Sequence, residues 1–178
     1  MASIVARNYA DAIFAIAQKN SKIESFKSEL NQVKKIFLSS DDLKKIIEHP
    51  DVLIDDKLTI IEKVFKADKD IVSFLKVLVE NNRFSNLVSI VDEYEKLSNE
   101  ALGIEVVKVT SAIKLTDKQL ENIKNVLTKR LDKKVELREV IDPSCLAGIR
   151  IILKDEILDN TIDTKIKNIK NMISKAVI

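Results

Sequence analysis

Glu100-Ala101-Leu102-Gly103-Ile104-Glu105-Val106-Val107-Lys108-Val109-Thr110 is the stretch at which the chain changes its period. Up to Leu102, apolar residues recur every three or four positions, the spacing of helices that bury one stripe. Gly103 closes that pattern as glycine does after a helix, where φ is positive and a Cβ is costly. From Ile104 to Thr110 the residues are β-rich and roughly alternate, which is the period of a strand. The reading is a mainly α fold with a small α/β part. A six-helix bundle is expected over 1–103, followed by a C-terminal α/β module over 104–178.

Working back from Gly103, each helix has its own signals. Residues 3–19 place Ile4, Tyr9, Ile13, Ile16 and Ala17 at helical spacing, with Ala6, Ala10 and Ala12 between them. Ser21-x-x-Glu24 reads as a capping box that opens a helix with Ile23, Phe26, Leu30, Val33 and Phe37 on one stripe. A short helix over 42–48 is stopped by His49-Pro50, because a residue before proline disfavours the helical region. Asp55 or Asp56 is expected to cap a segment with Leu58, Ile61 and Phe65, and Asp68 or Asp70 to cap another over 71–81. The last helix of the set spans 84–102.

Working forward, the order is strand, helix, strand, strand pair, helix. Thr116-x-x-Gln119 is a second capping box, opening a helix with Leu120, Ile123, Leu127 and Leu131 on one face. Residues 134–141 alternate again, with Val135, Leu137 and Ile141 on one side. Asp142-Pro143-Ser144 turns the chain, and Ile149, Ile151 and Leu153 alternate with Arg150 and Lys154. Asp155-Glu156 suggests a tight turn into a short strand at Ile157-Leu158. From Thr161 a last helix puts Ile162, Ile166, Ile169 and Ile173 at helical spacing.

Composition then narrows function. Of 178 residues 46% are apolar and 33% charged, with two Gly, two Pro, one Cys, one His, no Trp and a formal charge of +2. Average usage of about 7% Gly and 5% Pro would give roughly twelve and nine. A glycine-built phosphate cradle is therefore excluded, since it needs backbone without a Cβ. One His and one Cys exclude a Cys-rich metal site and an internal disulfide, and no metal or cofactor is expected. No stretch reaches the 18 or more apolar residues of a membrane span. The start, Met1-Ala2-Ser3-Ile4-Val5-Ala6-Arg7, lacks a signal-peptide core, so a soluble, cytosolic protein is expected. Residues 1–103 carry 15 basic and 17 acidic side chains, a balance of −2, and residues 104–178 carry 15 and 11, a balance of +4. The near-neutral total argues against general nucleic-acid binding. The basic module, with Lys129-Arg130, Lys133-Lys134 and Lys165-x-Lys167-x-x-Lys170, leaves open a helical adaptor that binds RNA.

No catalytic constellation emerges. His49 stands in a polar turn, and no serine has a nucleophile-elbow context. Cys145 has only Arg138 and Arg150 as nearby cations in sequence and reads as an inert thiol. Asp41-Asp42, Asp55-Asp56 and Asp155-Glu156 fall where helix starts or turns favour negative charge. What remains is apolar surface. Residues 71–79 and 9–17 are apolar nearly all round their helices. Either both are simply core, or they share a face for a partner helix, which Ala10, Ala12 and Ala15 would let approach closely.

Four stretches carry a resemblance. They are Ala6-Arg7-Asn8-Tyr9-Ala10-Asp11-Ala12-Ile13-Phe14; Phe74-Leu75-Lys76-Val77-Leu78-Val79-Glu80-Asn81-Asn82-Arg83-Phe84; Val109-Thr110-Ser111-Ala112 with Leu115-Thr116; and Ile141-Asp142-Pro143-Ser144-Cys145-Leu146-Ala147-Gly148-Ile149 followed by Ile157-Leu158-Asp159-Asn160-Thr161. In order and over the whole chain, they resemble the delta subunit of bacterial F-type ATP synthase, a relative of the mitochondrial oligomycin-sensitivity-conferring protein. Many members have Gly-Gly at Ala147-Gly148 and Asp-Gly-Ser at Asp159-Asn160-Thr161. Asn tolerates positive φ and Thr caps as Ser does, so the local physics is kept.

The resemblance implies a non-catalytic stator subunit, one copy per complex, that links the alpha/beta head to the peripheral stalk so that rotor torque drives ATP synthesis. It implies that the bundle grips N-terminal helices of alpha subunits, through Tyr9, Ala12 and Val77 with Ile13 and Phe74 beside them. The module would join the b subunits, with Ile162, Ile166, Ile169 and Ile173 on the stalk side. Arg7, Asn81, Arg83, Asp142, Gly148 and Asp159 are the other positions that match the family's motifs. Membrane contact would come only through the complex, at the cytoplasmic face of the bacterial plasma membrane, and no nucleic acid would be involved.

Overall fold

A computed structural model of the chain describes residues 4–153 and 157–166. Ile169, Ile173 and the expected Asp155-Glu156 turn lie outside the described residues. The chain divides into two compact units, one ending at Ala101 and the next starting at Leu102.

The first unit holds six α-helices: α1 (Ile4–Lys19), α2 (Ile23–Ser39), α3 (Asp41–Glu48), α4 (Ile54–Val64), α5 (Lys69–Glu80) and α6 (Leu87–Ala101). Phe84–Asn86, expected as the start of α6, forms a separate 3-10 turn. Its Phe84 ring meets Phe37 at 5.3 Å and so anchors the turn in the core. Tyr94 on α6 is fully buried, its hydroxyl donating to the Ile23 carbonyl at 3.1 Å, and burial pushes the phenol up to about 12.

Three local expectations need correction. The buried stripe of α1 is Ala6, Ala10, Ile13 and Ala17, whereas Ile4 and Ile16 point outward, 81% and 41% exposed. Helix α1 packs most extensively on α6, and alanines allow that close approach, while Ile4 and Ile16 are turned away. Ser21 does not open a capping box. It adopts φ +53°, its N–H donates to the Gln18 carbonyl and that of Lys22 to the Ala17 carbonyl. That is the Schellman pattern which finishes α1, leaving Lys22 as the N-cap of α2 with no side-chain capping bond. Asp55 and Asp56 sit in the first turn of α4 behind Leu53 and favour the helix dipole without capping. Asp68 does cap α5, accepting from the Asp70 N–H at 3.1 Å.

The second unit holds β1 (Ile104–Ser111), α7 (Asp117–Leu131), β2 (Lys134–Ile141), β3 (Ile149–Ile152) and β4 (Ile157–Asp159), and residues 162–166 are helical. Gly103, at φ +63°, ends the helical stretch before β1. Both bonds of the Thr116 capping box are made at the start of α7. The sheet order is β2-β1-β3-β4; β2 runs parallel to β1, and β3 and β4 each run antiparallel to their neighbours. Val107, Val109, Val135, Leu127 and Leu153 form the small core beneath α7. Ile141, expected on the same side as Val135, is 52% exposed, whereas Val135 is buried.

Candidate functional site

The partner face expected on the bundle is built from two adjacent helices. An edge-on contact between the Tyr9 and Phe74 rings, 6.3 Å apart, joins α1 to α5. At the far end of α1, Asn20 Nδ2 donates to Asp70 Oδ2 at 2.8 Å. Lys22 bridges to Asp68 at 2.7 Å, and that bridge draws the carboxylate of Asp68 below its ordinary value. The Asp68 N–H in turn donates to Glu29 at 2.7 Å. These bonds fix how α5 starts beside the turn after α1.

On the outer side of that pair, Tyr9 is half-buried, and Ala12 and Val77 are exposed, Val77 at 42%. Ile13 and Phe74 belong to the core instead, 0% and 8% exposed, so they support the face from beneath and do not line it. Ile16, read from its spacing as part of the same stripe as Ile13, is 41% exposed. It stands one turn beyond Ala12, and its exposure places it on the outer face. Ala10, read as a point of close approach for a partner, is fully buried and serves the bundle's own packing. Exposure alone does not single out this face, since Leu53 and Ile54 are exposed as well.

The matching motif residues have local work. Asn81 Nδ2 donates to the Val77 carbonyl at 2.8 Å, and Asn82, at φ +51°, finishes α5 in a second Schellman turn. Arg7 and Arg83 are exposed. Asp142 accepts from the Ser144 N–H at 3.0 Å and so caps the turn Pro143–Cys145. Asp159 accepts from Thr161, Arg150 and Thr164, and bonds from the Thr161 N–H and hydroxyl do most to hold its carboxyl far below the usual range. Gly148, at φ +90°, packs against Asn160. Ile162 and Ile166 are exposed, 44% and 53%.

Among the described residues, no group of three or more His, Cys, Asp or Glu converges. His49 is in an exposed turn, accepting from the Asp51 N–H at 3.2 Å, and Cys145 is buried. No described helix is long and apolar enough to cross a membrane.

The family model described as ATP synthase delta (OSCP) subunit matches residues 5–173. A curated ATP synthase subunit delta from Brevibacillus brevis is 34% identical over 169 residues, covering 94% of this chain and 97% of the relative. Its counterpart in Clostridium botulinum strain Loch Maree is 33% identical, covering 95% and 96%. In the fold, the chain is similar to one in the Toxoplasma gondii mitochondrial ATP synthase hexamer, with a TM-score of 0.73, 19% identity, and 96% and 98% covered. By the family model and by these relatives, the chain belongs to the ATP synthase delta (OSCP) subunit family.

Proposed function

We propose that the chain holds the catalytic head of the synthase to its peripheral stalk, gripping an alpha-subunit N-terminal helix with its first unit and the b subunits with its second. Family membership makes it a structural, non-catalytic component of the peripheral stalk of F-type ATP synthase. The observation that carries the finer reading is the face shared by α1 and α5. Tyr9, Ala12, Ile16 and Val77 stand on it over a complete core, and Ala12 leaves room for a second backbone. An amphipathic helix laid there buries apolar surface on both partners. For the stalk side, Ile162 and Ile166 offer an apolar pair one turn apart, with Ile169 and Ile173 continuing the stripe in sequence. The subunit then sits peripherally at the cytoplasmic face of a bacterial membrane, one copy per complex.

Val77→Asp tests the head contact. The side chain is 42% exposed, so the substitution leaves the core intact. Docking would instead trap an unpaired carboxylate against an apolar helix, which weakens binding about a hundredfold or more. Calorimetry with an alpha-subunit N-terminal peptide reads this directly. Wild-type affinity in a folded Val77→Asp chain removes α5 from the grip.

A further inference from the structure

We propose that Asp159 is a positioning residue for the stalk contact: with Gly148 it fastens the root of the last helix to β3 and so sets the direction in which Ile162 and Ile166 face the partner. This rests on the reading that the Ile162 and Ile166 face meets the b subunits. Asp159 ends β4, and its carboxylate gathers four hydrogen bonds. Oδ1 accepts from the Thr161 N–H at 2.9 Å and the Thr161 hydroxyl at 2.7 Å. Oδ2 accepts from Arg150 Nε at 2.7 Å and the Thr164 hydroxyl at 2.9 Å. Arg150 belongs to β3, whereas Thr161 and Thr164 belong to the helix root, so one carboxylate ties sheet to helix through a charge-assisted bond.

The same junction is closed from the opposite side. The Ile162 N–H donates to the Ala147 carbonyl at 2.9 Å, and the Asn160 N–H donates to the Ile149 carbonyl at 3.1 Å. Gly148 lies between those carbonyls, and a Cβ there would stand 2.4 Å from the Asn160 carbonyl oxygen. Capping a helix needs only a bond from Asp159 or Thr161 to a free N–H near the helix start. The Arg150 and Thr164 bonds and the glycine contact are additional, and what they constrain is direction. Ile162 and Ile166 lie one turn apart on one side, so any rotation of the root moves both.

The test uses the full chain with a soluble b-subunit dimer as probe, by calorimetry at a temperature where every variant is folded. Asp159→Asn keeps the side chain's size but loses the charge that Arg150 meets. Gly148→Ala pushes on Asn160 from the other side and leaves the carboxylate untouched. Each is expected to weaken b-subunit binding about tenfold or more, with alpha-peptide binding unchanged. Thr164→Val removes one bond to Asp159 and should shift affinity less, in the same direction. A merely structural cap would lose binding only in proportion to the unfolded fraction, and cooling would restore it. The positioning role requires the loss to persist in a folded chain, with amide shifts on β1 and β2 unchanged. Joint Ile162→Asp and Ile166→Asp substitution tests the underlying reading: intact b-subunit binding there overturns that reading and this inference with it. If the joint variant does lose binding while folded Asp159→Asn or Gly148→Ala binds normally, the positioning role alone is overturned.

Discussion

At the scale of single residues, positive φ is what overturns the capping box read at Ser21. Ser21, Asn82, Asp132 and Leu146 all adopt it, with φ between +50° and +60°. Asn and Asp enter this region easily, but Ser and Leu do so at a cost. Ser21 shows why its role was not legible: Ser-x-x-Glu is a helix-start signal, and only the packing of α1 against α2 decides that the preceding helix ends there. Relieving the left-handed strain predicts that Ser21→Gly stabilises the first unit by about 0.5–1 kcal/mol, the gain being trimmed by glycine's greater freedom when unfolded. Urea unfolding measures this. A loss of stability would mean that the serine hydroxyl does cap α2 after all.

Among elements, the existence of the helices and strands was legible and the rotation of α1 was not. Helical period fixes which residues share a stripe, but it does not say whether a stripe of isoleucines or of alanines turns inward. Here Ala6, Ala10 and Ala17 are buried with Ile13, and on α4 the stem of Lys57 occupies an inward position, only 5% exposed, where the pattern asks for an apolar residue. The periodic stripe that held Ile13 and Ile16 together therefore splits, with Ile13 buried and Ile16 41% exposed. The two alanines Ala10 and Ala12 separate these roles. Ala10→Leu is expected to overpack the bundle and cost about 1–3 kcal/mol of stability. Ala12→Leu should change stability by no more than about 0.5 kcal/mol, yet block the close approach of an alpha-subunit helix. Thermal melting paired with peptide calorimetry reads both; equal effects on stability would show that α1 does not divide its faces in this way.

For the whole molecule, the change of period at Gly103 was enough to find the two units, because a bundle and a sheet bury their residues at different spacings. Each unit has its own core, so a substitution in one leaves the other standing. If the chain resists torque as proposed, the consequence is specific. Hydrolysis needs only the head, whereas coupled proton movement needs head and stalk held together against the turning rotor. If Val77 grips the head as proposed, its loss should separate the two activities. In membranes carrying the Val77→Asp chain, ATP hydrolysis is expected to continue near the wild-type rate. ATP-driven acidification, followed with a pH-sensitive dye, is expected to collapse, and washing at low salt should strip the subunit from the head. An Ala12→Leu membrane should behave the same way if α1 and α5 form one contact, although the second unit is untouched in both. Acidification at the wild-type level in Val77→Asp membranes would mean that the torque is carried elsewhere, and the face shared by α1 and α5 would lose its role as the point where the head is held.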